Sequence, residues 1–302
     1  MNLMGLFRSP QNELEKGGKY FVMRNHSAII GFSIPVNDCR RYHIIASHSD
    51  SPSFKIKENP EMSVNGAYVK LNVEKYGGML CAPWFDRPLS VAGRVMVKTE
   101  KGVQTRLVNI DRDLLVIPNL AIHMDRTAND GMKYNPQTNL LPLFGDAASK
   151  DTFDKLVAEA CGVKEEDVIA SDLFLYNRTK PVVWGGHNEY MSCAKLDDLE
   201  CAFSSMKAFI KGGSKESVSV CAIFDNEEVG SSTKQGANST FMYDVLRRIN
   251  QNLGRSEEDY YTAVASSFML SADNAHALHP NHPAVTDPTN LVFLNEGIVI
   301  KH

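Results

Sequence analysis

"SVSVCAIFDNEEVGS", residues 217–231, runs apolar and small residues up to Phe224 and then delivers Asp225, Glu227 and Glu228 almost together. A lone Glu-Glu pair usually marks a solvated face. This one leaves a segment with the apolar density of a core strand, not the spacing of an amphipathic helix. The stretch therefore reads as a buried strand whose purpose is at its carboxyl end.

Outward from it, helices and apolar strands alternate. DDLECAFSSMKAFIK precedes it as a helix, residues 239–253 follow with Phe241, Val245, Leu246, Ile249 and Leu253 on one stripe, SEEDYYTAVASS makes another helix, and FMLSA returns as a strand. Nearer the start, KYFVMRN, SAIIGFSI and RYHIIAS read as strands, with PVND as a turn between the last two. This alternation predicts an α/β fold with a mostly parallel sheet covered by helices. The strand RYHIIAS ends on His48 and Asp50, and FMLSA ends before Asp273, so three polar clusters are expected to converge at the carboxyl ends of the sheet.

Between these parts lies a different text. Residues 66–118 are strand-like, residues 119–148 hold a polar loop too long for a connector, DTFDKLVAEAC is a helix stopped by Gly162, and LFLYN and PVVWGG are further strands. The expected division is an α/β domain from 1–60 and 187–302, interrupted by a β-rich insertion at 61–186.

Composition narrows the classes. The 302 residues are 43% hydrophobic and 23% charged with a net charge of −4, and the 32 basic residues are scattered, which argues against a nucleic-acid partner. No stretch has the roughly 18 uninterrupted apolar residues of a membrane span, and MNLMGLFRSPQNELEKGG has too short an apolar run for a signal peptide, so a cytoplasmic protein with no membrane partner is expected. The 6 cysteines include no CxxC pair and read as reduced thiols.

The chemistry of the clusters points to metal. His48 and Asp50 are two apart, so on an extended strand they share a face, the arrangement in which an imidazole binds an ion and a carboxylate orients the ring. Asp197 and Asp198 open a helix, where acidic residues are ordinarily caps but can also bridge two cations. One histidine with several carboxylates suits zinc, manganese or cobalt. In a two-metal site, one of two adjacent glutamates can hold an ion while the other takes the proton of the attacking water.

The strings HSDSPSFKIK, GGHNEYMSCAKLDDL, FDNEEVGS and SADNAHALHPNHP, with GGMLCAPWFDRPLSVAGRV and NLAIH between them, resemble the aspartyl aminopeptidase family of co-catalytic zinc exopeptidases, in family order across about residues 17–302. The resemblance implies removal of N-terminal residues, preferably Asp or Glu, from peptides, a zinc-peptidase α/β domain interrupted by a dimerisation domain, and a homo-oligomer that ranges from dimer to dodecamer. It implies two divalent ions, most simply zinc. His48 would ligate one ion with Asp50 as its orienting carboxylate, Asp197 would bridge both, Asp273 would join His48, and Glu228 would hold the other. Glu227 would be the general base, His123 would reach a neighbouring subunit's site, and Lys301 would pair with an acidic substrate side chain.

Two departures set further expectations. Family members run longer and complete the site with a histidine near their C-terminus, for which His276, His279 and His282 are not the motif equivalents. A form that stops at His302 is expected to be weakly active or inactive. Two other classes compete: a related two-metal amidohydrolase or deacylase, and a non-catalytic fragment that serves only in assembly.

Overall fold

The structure, a computed structural model, describes residues 14–301; the opening 13 residues and His302 lie outside the described part. In chain order the strands are β1 (Lys19–Arg24), β2 (Ala28–Ser33) and β3 (Tyr42–His48), then β4 (Ser53–Val64), β5 (Tyr68–Tyr76), β6 (Leu89–Thr99) and β7 (Gly102–Asn109). Helix α1 (Pro136–Asn139), β8 (Leu143–Asp146), α2 (Phe153–Cys161), β9 (Val168–Asn177), β10 (Val182–Trp184) and β11 (Tyr190–Ser192) come next. The chain closes with α3 (Leu196–Lys211), β12 (Val218–Phe224), α4 (Phe241–Asn252), α5 (Glu257–Ala265) and β13 (Phe268–Ser271). Contacts divide it into two units, one running to Ser51 and resuming at Lys195, the other Pro52–Ala194.

The first unit is built on a sheet of order β1-β2-β12-β3-β13. β12, β3 and β13 run parallel, whereas β1 and β2 form an antiparallel hairpin and β2 pairs antiparallel with β12. The parallel character is thus confined to the part of the sheet that carries the polar strand ends. PVND does not close a hairpin between β2 and β3, because β12 lies between them. Two apolar strands close in sequence each find a better partner in a third one far along the chain.

Alternation along β12 explains the layers. Val220, Ala222 and Phe224 join Ile30, Phe32 and Tyr42 in a core covered by Phe241, Val245, Leu246 and Ile249 of α4 and Tyr260 of α5. Cys221 and Ile223 face the opposite side, against Phe209, Met206 and Ile210 of α3. Gly31 permits this second layer: a Cβ there would come within 2.8 Å of the Phe209 ring. α5 begins in a capping box between Ser256 and Asp259.

The second unit carries a sheet of order β7-β6-β9-β4-β5-β8, antiparallel throughout. Its core gathers Phe54, Leu71, Leu89, Val91, Ile117 and Leu175, with Phe153 and Val157 of α2 packed in. The long segment after residue 119 is pinned at its end by Leu140 and Leu141, both buried. β10 and β11 pair as a separate short hairpin.

Candidate metal centre

β3 and β12 lie side by side in parallel with His48 opposite Phe224, and β13 flanks β3 with Ser271 opposite Ala46. All three therefore finish at the same edge. The residues that follow them, and the start of α3, surround one imidazole.

His48 is buried. Asp50 Oδ1 sits 3.3 Å from its Nδ1, and around Nε2 lie Asp197 Oδ1 at 3.5 Å, Asp198 Oδ2 and Glu227 Oε2 at 3.9 Å, and Asp273 Oδ1 at 4.0 Å. Burial alone would lower the imidazole pKa. The contact with Asp50 and the negative charges of Asp198, Asp50 and Glu227 outweigh it and lift the value to about 9.

Asp50 has a second task. Its Oδ1 and Oδ2 accept the backbone N–H groups of Glu227 and Glu228, each at 3.1 Å. Those two residues open a short 3-10 turn that Asn226, in the left-handed region at φ 61°, allows to start directly after the strand. One carboxylate thus fixes both the imidazole of β3 and the glutamate pair of β12. Glu227 is exposed, whereas Glu228 is half-buried, and burial followed by the charges of Glu227, Asp50 and Asp197 pushes its carboxyl up to about 7.

Asp197 and Asp198 are not helix caps in the ordinary sense. Their backbone is non-helical, with ψ of 111° and 23°, and the peptide between them is cis. Asp197 turns outward to the cluster, and burial followed by the charge of Asp273 raises its carboxyl above the usual range. Asp198 is fully buried and its Oδ2 accepts the His48 backbone N–H at 3.1 Å. Ser51 Oγ donates to the Asp197 carbonyl at 2.9 Å, tying the start of α3 to the end of β3.

The donor atoms of His48, Asp197, Asp198 and Asp273 lie within 4.8 Å of one another. The set fits a divalent metal on two grounds: a nitrogen and several carboxylate oxygens are the donors of zinc, manganese or cobalt, and Asp198 Oδ1 is buried with no hydrogen-bond partner among the described residues. Asp198 was the member that sequence reading left without a task. The adjacent Asp-Asp pair was its signal, but a buried second aspartate cannot be told from a solvated one by spacing.

The other expected residues fall as follows. Lys301 Nζ donates to Asp273 Oδ2 at 2.6 Å. His123 is exposed on a turn of the second unit. His276, His279 and His282 are outside the cluster; His279 and His282 lie against each other, with ring centroids 4.9 Å apart. Among the described residues no helix is long and apolar enough to cross a membrane.

Comparison with known proteins adds the following. A family model described as "Aminopeptidase I zinc metalloprotease (M18)" matches residues 5–302. The "Probable M18 family aminopeptidase 2" of Clostridium acetobutylicum is 46% identical over 297 residues, 96% of this chain and 69% of that protein. "Aspartyl aminopeptidase 1" of Schizosaccharomyces pombe is 39% identical over 323 residues, 96% of this chain and 67% of that protein. Among solved structures, the cryo-EM structure of the Ape4 and Nbr1 complex superimposes with a TM-score of 0.88 at 36% identity, over 96% of this chain and 61% of that one. The S. cerevisiae mApe1 dodecamer gives 0.78 at 26% identity, over 96% and 69%. The chain spans between 61% and 69% of the length of these four proteins.

Proposed function

The chain belongs to the M18 family of zinc metalloprotease aminopeptidases, and from that premise we propose that it removes N-terminal residues, preferably Asp and Glu, from peptides. The observation that carries the proposal is the convergence of His48, Asp197, Asp273 and Glu227 at the ends of three parallel strands. The acidic preference draws support from the aspartyl aminopeptidase relative.

His48, Asp197 and Asp273 would hold one zinc ion, and Asp197 with Glu228 a second; bound there, the ions would polarise the scissile carbonyl and bring the pKa of a water near 7. Asp50 keeps the imidazole oriented through Nδ1. Glu227, exposed and with Oε2 at the rim of the cluster, takes the proton of the attacking water and delivers it to the leaving amine. Asp50 also sets the position of that base through the Glu227 backbone. The chain is proposed to act as a homo-oligomer, as the yeast dodecamer does, with His123 contributed to a neighbouring subunit's site.

The test is a panel of aminoacyl 4-nitroanilides with the zinc-loaded chain. Asp and Glu substrates are expected to be cleaved in preference to Leu and Arg, and N-acetylation of the substrate to block cleavage. Release of acetate from the N-acetylated compounds, with the anilide bond intact, would instead identify a deacylase, and a chain that binds zinc yet cleaves none would support the assembly role.

A further inference from the structure

Asp273 is the candidate ligand with the least support from its own strand. β13 ends at Ser271, and the backbone that follows is held by the Ala272 N–H donating to the Ala46 carbonyl at 2.7 Å. On the far side Asn274 Nδ2 donates to Glu200 Oε2 at 3.2 Å. The main chain is thus anchored before Asp273 and the neighbouring Asn274 side chain is tied after it, but the Asp273 side chain is 45% exposed and faces the carboxylate of Asp197, whose charge repels it. A carboxylate in that situation swings toward solvent unless something holds it.

Lys301 holds it. Nζ lies 2.6 Å from Asp273 Oδ2 and 3.0 Å from the Asn274 carbonyl, so the ammonium grips the side chain and the adjoining backbone at once. The two carboxylate oxygens are thereby divided: Oδ2 goes to the lysine, and Oδ1 faces His48 Nε2 across 4.0 Å. Donors on a tetrahedral zinc at about 2.0–2.2 Å lie roughly 3.4 Å apart, so Oδ1 stands a few tenths of an ångström from the place a shared ion would draw it to.

We propose that Lys301 is a positioning residue of the metal centre, fixing Asp273 so that Oδ1 is presented to the ion shared with His48. This rests on the reading of Asp273 as a metal ligand and goes beyond the pairing of Lys301 with an acidic substrate. With a lysine that acts only on substrate, removing its charge leaves metal affinity unchanged or raises it; removing a lysine that orients a ligand lowers it. Outer partners of metal ligands commonly change affinity by about 10–100-fold when removed, and the half-exposed setting places this one at the lower end.

The experiment is zinc titration of the full chain, without substrate, for wild type, Lys301→Met and Lys301→Arg, with thermal unfolding of each metal-free protein as a check of folding. Lys301 is exposed, so all three are expected to fold alike. Lys301→Met is expected to bind zinc about tenfold more weakly, with Lys301→Arg close to wild type. Equal affinity of Lys301→Met and wild type would overturn the proposal, and so would tighter binding, which would make the ammonium a competitor of the ion. A wild-type chain that took up no zinc would instead overturn the reading of the centre itself.

Discussion

In the second unit Asp172 lies between Arg94 and Lys55, both at 3.1 Å, and Asp111 and Asp113 both accept from Arg178. Glu61 accepts three backbone N–H groups, from Asp151, Thr152 and Phe153, at the start of α2. At the strand ends of the first unit, Asp50, Asp197, Asp198, Asp273, Glu227 and Glu228 crowd one imidazole, and the ammonium of Lys301 reaches one of them. Carboxylates that build a fold are matched where they stand. Carboxylates in the candidate metal centre stand in excess of the positive groups beside them; burial first and then their neighbours' charges raise Asp197 and Glu228, and the same carboxylates raise His48 against the effect of its burial.

The sharpest way to break the contrast is Glu227→Gln. The change is expected to lower kcat about 10²–10⁴-fold while zinc affinity stays within a few-fold, as rate assays and zinc titration on one preparation would reveal. Loss of both together would make Glu227 a ligand and not the base.

Metal titration comes next. His48 is the one imidazole in the cluster among the described residues, so one zinc is expected to bind tightly and a second more weakly, and His48→Ala to abolish the tight event. Two ions of equal affinity would mean that a further nitrogen ligand completes the centre. At a hundredfold excess over its Kd, the tight ion should stabilise the fold by about 2.7 kcal/mol, with the gain in hydrogen-exchange protection concentrated at the ends of β3 and β12.

A pH series tests the origin of the excess. His48 is raised from 6.5 to about 9, so its bound proton supports the metal-free fold fully below 6.5, and the support is lost as pH rises through about 9. Glu228, raised from 4.5 to about 7, acts in the same sense over a lower window. The metal-free melting temperature is therefore expected to fall from pH 6 to 9. Zinc needs the deprotonated groups, so its affinity should climb from pH 6 to 8, with release of about one proton per ion from His48 at pH 7.5. Calorimetry in buffers of different ionisation heat counts that proton.

The smallest effect belongs to the other unit. Asp172→Asn leaves Arg94 and Lys55 partly exposed and hydrated, and is expected to cost under about 1 kcal/mol in denaturant unfolding with zinc binding unaltered. A loss of zinc affinity would show that the matched carboxylates also serve the centre.

Much of this was legible in the chain because apolar runs announce strands and polar residues stand at their ends. HSD, NEE and SADN each follow an apolar run, which assigns them to one edge of the sheet by pattern alone, and the stripe of α4 marks its buried face, Phe241, Val245, Leu246 and Ile249. What local pattern does not encode is pairing across the chain. PVND looks like a hairpin turn, and only the insertion of β12 between β2 and β3 shows otherwise. Asp197 and Asp198 look like a helix opening, because acidic caps and a non-helical acidic pair have the same letters. Lys301 carries no local sign of its contact with Asp273, 28 residues earlier.

Asp50 joins the two halves of the centre in a way that reaches past its chemistry. By accepting the backbone N–H groups of Glu227 and Glu228 while lying against His48, it ties the placement of the turn after β12 to the end of β3, although 177 residues separate Asp50 from Glu227. The tie is to the path of the main chain there. A lineage that exchanged Asp50 for a side chain of different length would need a matching change in the turn after β12, so a substitution at Asp50 should arrive with one in that turn or not at all.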